Sequence, residues 1–106
     1  MIIVTSEQVP NRKIKELKGY VKGNTVRAKH IGLDILAGLK NVVGGEIKDY
    51  SEMMAEAREI AIERMAAEAK AKGADAIIAF RLQSSSVMGG ASEIIAYGTA
   101  VLLEAE

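Results

Sequence analysis

A chain of 106 residues gives room for one compact domain and not two, and residues 1–106 are read as a single unit. Its composition, 49% hydrophobic and 26% charged, is that of a globular protein, and 14 basic side chains balance 14 acidic ones, which argues against whole-domain attraction to nucleic acid. With no cysteine, a disulfide framework, a thiolate nucleophile, a zinc finger and an iron–sulfur site are all excluded.

The N-terminus carries no basic stretch leading into a long apolar run, and no segment approaches the roughly 20 apolar residues needed to span a bilayer. The expectation is a cytoplasmic protein with no membrane partner. Ile2-Ile3-Val4-Thr5 is β-branched and stops before Pro10, so it reads as a first strand. From Lys13 to Arg27 the pattern alternates. Leu17, Gly19, Val21 and Gly23 face one way and Lys18, Tyr20 and Lys22 the other, which predicts a second strand with one wet face. Glycines weaken a strand interior, so Gly19 and Gly23 mark a bulge or the close approach of another backbone.

Between Gly32 and Val43 the spacing of Leu36, Leu39 and Val43 predicts a short helix, with Gly44-Gly45 as its stop. Tyr50 to Lys72 has no Gly or Pro and is rich in helix formers, so it predicts one long helix ended by Gly73. At about 100° per residue its buried stripe runs through Tyr50, Met54, Ala57, Ala61 and Met65. Ala74 to Gln83 predicts a third strand, with Ile78, Phe80 and Leu82 on one face. Ser84-Ser85-Ser86-Val87-Met88-Gly89-Gly90 predicts a loop too long for a two-residue hairpin turn. A last strand spans Ser92 to Leu103. Neither of its faces is charged, so both are expected to be covered, the second by another copy of the chain. The order β-β-α-α-β-β predicts an α+β domain, a small, mostly antiparallel sheet packed on one long helix.

Gly19-x-x-x-Gly23, Gly44-Gly45, Tyr50, the Ala57-Arg58 pair, Gly73-Ala74-Asp75-Ala76 and Tyr97-Gly98-Thr99-Ala100-Val101 stand here in an order and spacing that resembles the YbjQ-like family. These are small prokaryotic proteins sometimes labelled heavy-metal-binding. The resemblance covers nearly the whole chain. It implies a sheet wrapped round a long helix, similar to the dodecin subunit, and a ring-forming subunit that assembles as a homopentamer.

The chemistry is sparse. His30 is the single histidine, so one chain cannot close a heavy-metal site, although a symmetric ring could gather several copies of it. Met53, Met54 and Met65 read as filler in the long helix rather than copper ligands, and no metal ligand is assigned. Glu52, Glu56, Glu59 and Glu63 share one helix face pointing away from the buried stripe, which predicts a solvated strip or a contact with Lys18 or Lys22 of a neighbouring subunit. Arg58 lies at the edge of the core and needs a carboxylate, with Asp75 and Asp34 as candidates. Arg81 sits among apolar neighbours, placed to grip an anion or to pair across a subunit seam.

No phosphate loop, H-E-x-x-H or G-x-S-x-G occurs, and Ser84, Ser85 and Ser86 have no base to activate them, so no catalytic residue is assigned and no enzyme is expected. Arg12 to Lys29 is locally basic, but Tyr20 is the one aromatic within it, so nucleic acid is not the expected partner. The expected ligand is a small molecule of unknown identity at a subunit seam near Arg58, Arg81 and Tyr97. No cofactor can be named from these residues.

Overall fold

The structure, a computed structural model, describes residues 1–28 and 44–105. The described residues form strand β1 (Ile2–Ile3), strand β2 (Ile14–Ala28), helix α1 (Gly44–Ala71), strand β3 (Ala76–Met88) and strand β4 (Ala91–Leu103). The strands make one mixed sheet in the order β1-β3-β4-β2. β1 runs parallel to β3, and β4 is antiparallel to both of its neighbours. The α+β class and the single long helix agree with the sequence pattern. The short helix expected over 32–43 lies outside the described residues, as do His30 and Asp34, so the described residues hold one helix rather than two.

Gly44-Gly45, expected to stop a short helix, are helical residues of α1, and what precedes them lies outside the described residues. The C-terminal end follows the sequence. Gly73 takes φ 80°, its N–H donates to the Lys70 carbonyl, and the Ala74 N–H donates to the Ala69 carbonyl, which closes the last turn as a Schellman motif.

α1 lies along β2 and crosses β4, touching β3 only slightly. Its buried stripe is Ala57, Ala61, Met65 and Ala69, with Met54 packed alongside, against Val21, Ile77, Ile94, Ala96 and Ala100 of the sheet. Tyr50, expected in that stripe, is 39% exposed, and its hydroxyl lies 3.3 Å from the Ser92 hydroxyl. The small side chains let the helix descend onto Gly23, where any Cβ would collide with the backbone of Ala61 and Met65. One of the two glycines in β2 therefore marks close approach. The other marks a bulge: Gly19 has φ 103° and the pairing with β4 slips between Leu17 and Gly19. That slip sets Lys18 beside Gly73 and leaves Leu17 68% exposed, away from the face it would share with Val21 in an unbroken strand.

A second bulge lies in β3, where the register with β4 shifts between Ile78 and Arg81 and Ala79 takes φ 53°. The extra residue turns Phe80 to the helix side, into the same core as Ile77, and leaves Ile78 on the other side. The uninterrupted alternation expected for this strand, with Ile78 and Phe80 on one face, is thereby broken. The serine-rich stretch is also strand rather than loop. β3 continues to Met88, Met88 pairs with Ala91, and Gly89-Gly90 forms a two-residue turn with Gly90 at φ 79°.

The sheet face away from α1 is covered in part by the chain itself. Val9 packs on Ala76, Val101 and Leu103, with Val4 and Ile78 alongside. The second cover expected from another copy is therefore supplied, over the C-terminal end of β4, by residues 4–12. Toward the hairpin, Ile95, Tyr97 and Thr99 stay half-exposed. The described residues measure 56 × 21 × 16 Å.

Candidate functional site

The three residues singled out from the sequence fall on two faces. Arg58 projects from the flank of α1 toward β3, where it lines a groove of about 100 Å³ with Met54, Leu82, Gln83, Ser84 and Ile94. The other flank of α1 is tied to β2. Arg64 donates to the Asn24 carbonyl at 2.8 Å, the Glu68 carboxylate accepts from the Lys22 N–H at 3.3 Å, and Glu56 lies 3.8 Å from Arg27. Arg58 is exposed, and no hydrogen bond or ion pair joins it to Asp75. Asp75 serves the sheet instead, accepting the Leu103 N–H at 2.9 Å. On that side of β4 the pairing with β3 goes no further than Ala76 with Val101, so the Asp75 carboxylate takes the place of a strand partner for the Leu103 N–H.

Arg81 and Tyr97 are brought together on the opposite face. They are direct cross-strand partners, and Lys22 completes the row from β2. Within one chain the sheet stands between this row and Arg58. Arg81 already has work: its guanidinium donates to the Thr5 carbonyl at 3.0 Å and to the Phe80 carbonyl at 2.7 Å, fastening residues 4–6 over the β3 bulge. The same segment is held by backbone bonds, the Ala79 N–H donating to the Ser6 carbonyl and the Phe80 N–H to the Val4 carbonyl.

The sequence did not single out Gln83 and Ser84 as groove residues or Lys22 as the third member of the row. The signal for Ser84 would have been the continuation of β3 through the serines, which their low strand propensity concealed.

The described residues of one chain offer no donor set that fits a heavy-metal centre. The sequence has no cysteine and one histidine, and the described residues contain no group of three or more His, Asp or Glu that could hold a metal ion. Glu52, Glu56, Glu59 and Glu63 are exposed along α1, in keeping with a solvated strip. No helix among the described residues is long and apolar enough to cross a membrane.

Fold and site together define a small α+β protein whose described residues form one long helix on a four-stranded mixed sheet. Comparison with known proteins supplies the family. A YbjQ family model described as "Putative heavy-metal-binding" matches residues 1–104, and the chain belongs to that family. It is 64% identical to the UPF0145 protein of Halalkalibacterium halodurans over the whole of both chains. It is 61% identical to that of Clostridioides difficile, across 98% of this chain and 93% of the relative, and 60% identical to that of Thermotoga maritima, across 98% of each. Among solved structures, a protein of unknown function of the DUF74 family from Pediococcus pentosaceus superposes with a TM-score of 0.64 over 98% of each chain at 17% identity, which shows a shared fold.

Proposed function

We propose that the protein is a non-enzymatic, homo-oligomeric subunit that assembles into a ring, a pentamer by its resemblance to the YbjQ-like family. It serves as a binding or structural protein with a small-molecule site at the seam between copies. The observation that carries this reading is the face of β4 toward the hairpin. Ile95, Tyr97 and Thr99 bear no charge and are only half-buried in one chain, although the strand lies in the interior of the sheet.

At a seam, the apolar groove beside Arg58 of one copy and the Arg81–Tyr97 row of another could form the two walls of one pocket, with guanidinium groups selecting an anionic ligand. Native mass spectrometry of the protein purified from its source reports copy number and co-purifying ligand in one measurement. The reading expects a ring with a bound anionic small molecule; a ring that carries no ligand removes the pocket, and a lone chain removes both.

The family description favours a second reading, metal sequestration, which would rest on several copies of His30 meeting at a ring axis. Calorimetric titration with Zn²⁺ and Cu⁺ separates the two. Tight binding lost in His30→Ala supports sequestration, and no heat across both metals ends it.

A further inference from the structure

The bulge in β3 decides where Arg81 points. Ile77 lies on the helix side of the sheet and Ile78 on the other, so an unbroken alternation would carry Arg81 to the helix side, into the core. The extra residue reverses this. Phe80 takes the helix side, and Arg81 stands on the opposite face as the cross-strand partner of Tyr97. The arrangement is held at a strained residue, Ala79 at φ 53°. Bulges that re-aim one side chain in this way are over-represented beside functional sites.

The re-aimed guanidinium is only partly used. Both of its hydrogen bonds, to the Thr5 and Phe80 carbonyls, are made by Nη1. The N–H groups of Nε and Nη2 are left, and they form one edge of the planar fork, the edge that takes an anion in two parallel bonds. Carbonyl acceptors satisfy N–H groups without neutralising the cation, and among the described residues no carboxylate pairs with Arg81. Beyond Tyr97 in the same row stands Lys22, exposed on β2. Its backbone N–H donates to Glu68, while its ammonium, unpaired among the described residues, lies 5.9 Å from the centre of the Tyr20 ring. Neighbouring strands are about 4.8 Å apart, so Arg81 and Lys22 are separated by roughly 10 Å, a span that two long side chains close over the residue between them. That residue, Tyr97, is half-exposed and carries a hydroxyl. Two cations without counter-charge, with a hydroxyl donor between them, match a doubly charged tetrahedral anion better than a single carboxylate.

We propose that Arg81, Tyr97 and Lys22 form a binding site for the phosphate group of a small molecule. The Nε–Nη2 edge of Arg81 takes two of its oxygens, and the Tyr97 hydroxyl and the Lys22 ammonium meet the rest. The proposal rests on the ligand-binding reading above, to whose Arg81–Tyr97 wall it gives a chemistry and a third residue, and it does not depend on copy number. Free phosphate and a phosphate ester share this chemistry.

The test is phosphorus-31 NMR titration of the full chain with inorganic phosphate and, separately, with AMP. It compares wild type with Lys22→Gln, Tyr97→Phe, Arg81→Lys and Lys70→Gln, with circular dichroism melting and light scattering on the same samples. Arg81→Lys keeps the charge and loses the fork, and Lys70→Gln removes an exposed cation from the last turn of α1, on the helix side of the sheet. Wild type and Lys70→Gln are expected to bind equally, and each of the other three about tenfold more weakly. AMP binding more tightly than inorganic phosphate identifies an ester as the ligand, and the reverse identifies the free ion; both support the site. If Arg81→Lys loosens the fold, Lys22→Gln and Tyr97→Phe decide. No binding of either probe by wild type at millimolar concentration overturns the proposal, as does unchanged affinity in Lys22→Gln and Tyr97→Phe, or an equal loss in Lys70→Gln. An assembled wild type that binds no phosphate leaves the oligomeric reading standing, whereas phosphate bound by a particle of one chain's mass supports the site and overturns the ring.

Discussion

Gly23 lies against Ala61 with no space between strand and helix for a side chain: a Cβ on Gly23 would collide with the Ala61 carbonyl oxygen and the Met65 backbone nitrogen. Both obstacles are backbone, so no rotamer change relieves them. Gly23→Ala is therefore expected to lift α1 from the sheet and cost about 1–3 kcal/mol, a fall in Tm of roughly 5–20 °C by circular dichroism. A melt within a degree or two of wild type would contradict the close approach.

Ala79 holds φ 53° in the β3 bulge, a conformation that disfavours a side chain by about 1–2 kcal/mol. Ala79→Gly relieves that strain and loses part of the gain to unfolded-state entropy, so the melt should rise by a few degrees. The opposite change across the strand, Gly98→Ala, would put a Cβ 2.6 Å from the Ile77 side chain and 3.0 Å from the Ile78 carbonyl oxygen. It should lower Tm, because the bulge can form only against a residue with no side chain.

Arg81 fastens residues 4–6 to the bulge through the Thr5 and Phe80 carbonyls. In Arg81→Ala, amide exchange at Ala79 and Phe80, which donate to Ser6 and Val4, should quicken, with a loss of about 1 kcal/mol in stability. Unchanged exchange would mean that the guanidinium is not needed for the clasp and is free for a ligand.

Asp75 is the acceptor for the Leu103 N–H. Asp75→Ala leaves that donor without its partner and should cost about 1–2 kcal/mol by urea denaturation, whereas Asp75→Asn keeps an acceptor and should cost less. Equal losses in the two variants would show that the hydrogen bond is not what the side chain contributes.

Much of this architecture is legible in the sequence, and the misreadings have physical causes. The long helix, its glycine stop and the alanine stripe follow from propensity and period, and Gly19 and Gly23 advertise a bulge and a close approach because glycine is costly in a strand otherwise. Ala79 carries no such mark: alanine is at home in either conformation that the pattern allows, so a left-handed alanine that flips Phe80 cannot be foreseen. The serines after Gln83 read as loop because their strand propensity is low, yet pairing with β4 holds them in the sheet. Val9, isolated between Gln8 and Pro10, gives no periodic sign that it caps Val101 and Leu103. Of the candidate site, the pairing of Arg81 with Tyr97 depends on register across that bulge, and Arg58 on which helix flank faces β3. Neither is encoded by spacing along a single element.

The central claim is that the half-exposed face of β4 at Ile95, Tyr97 and Thr99 is closed by sister chains. Light scattering on the eluting wild-type protein across a dilution series down to micromolar concentration tests it most directly. The account predicts one discrete particle several chains in mass that persists on dilution, and a well-folded particle of a single chain's mass throughout the series would contradict it.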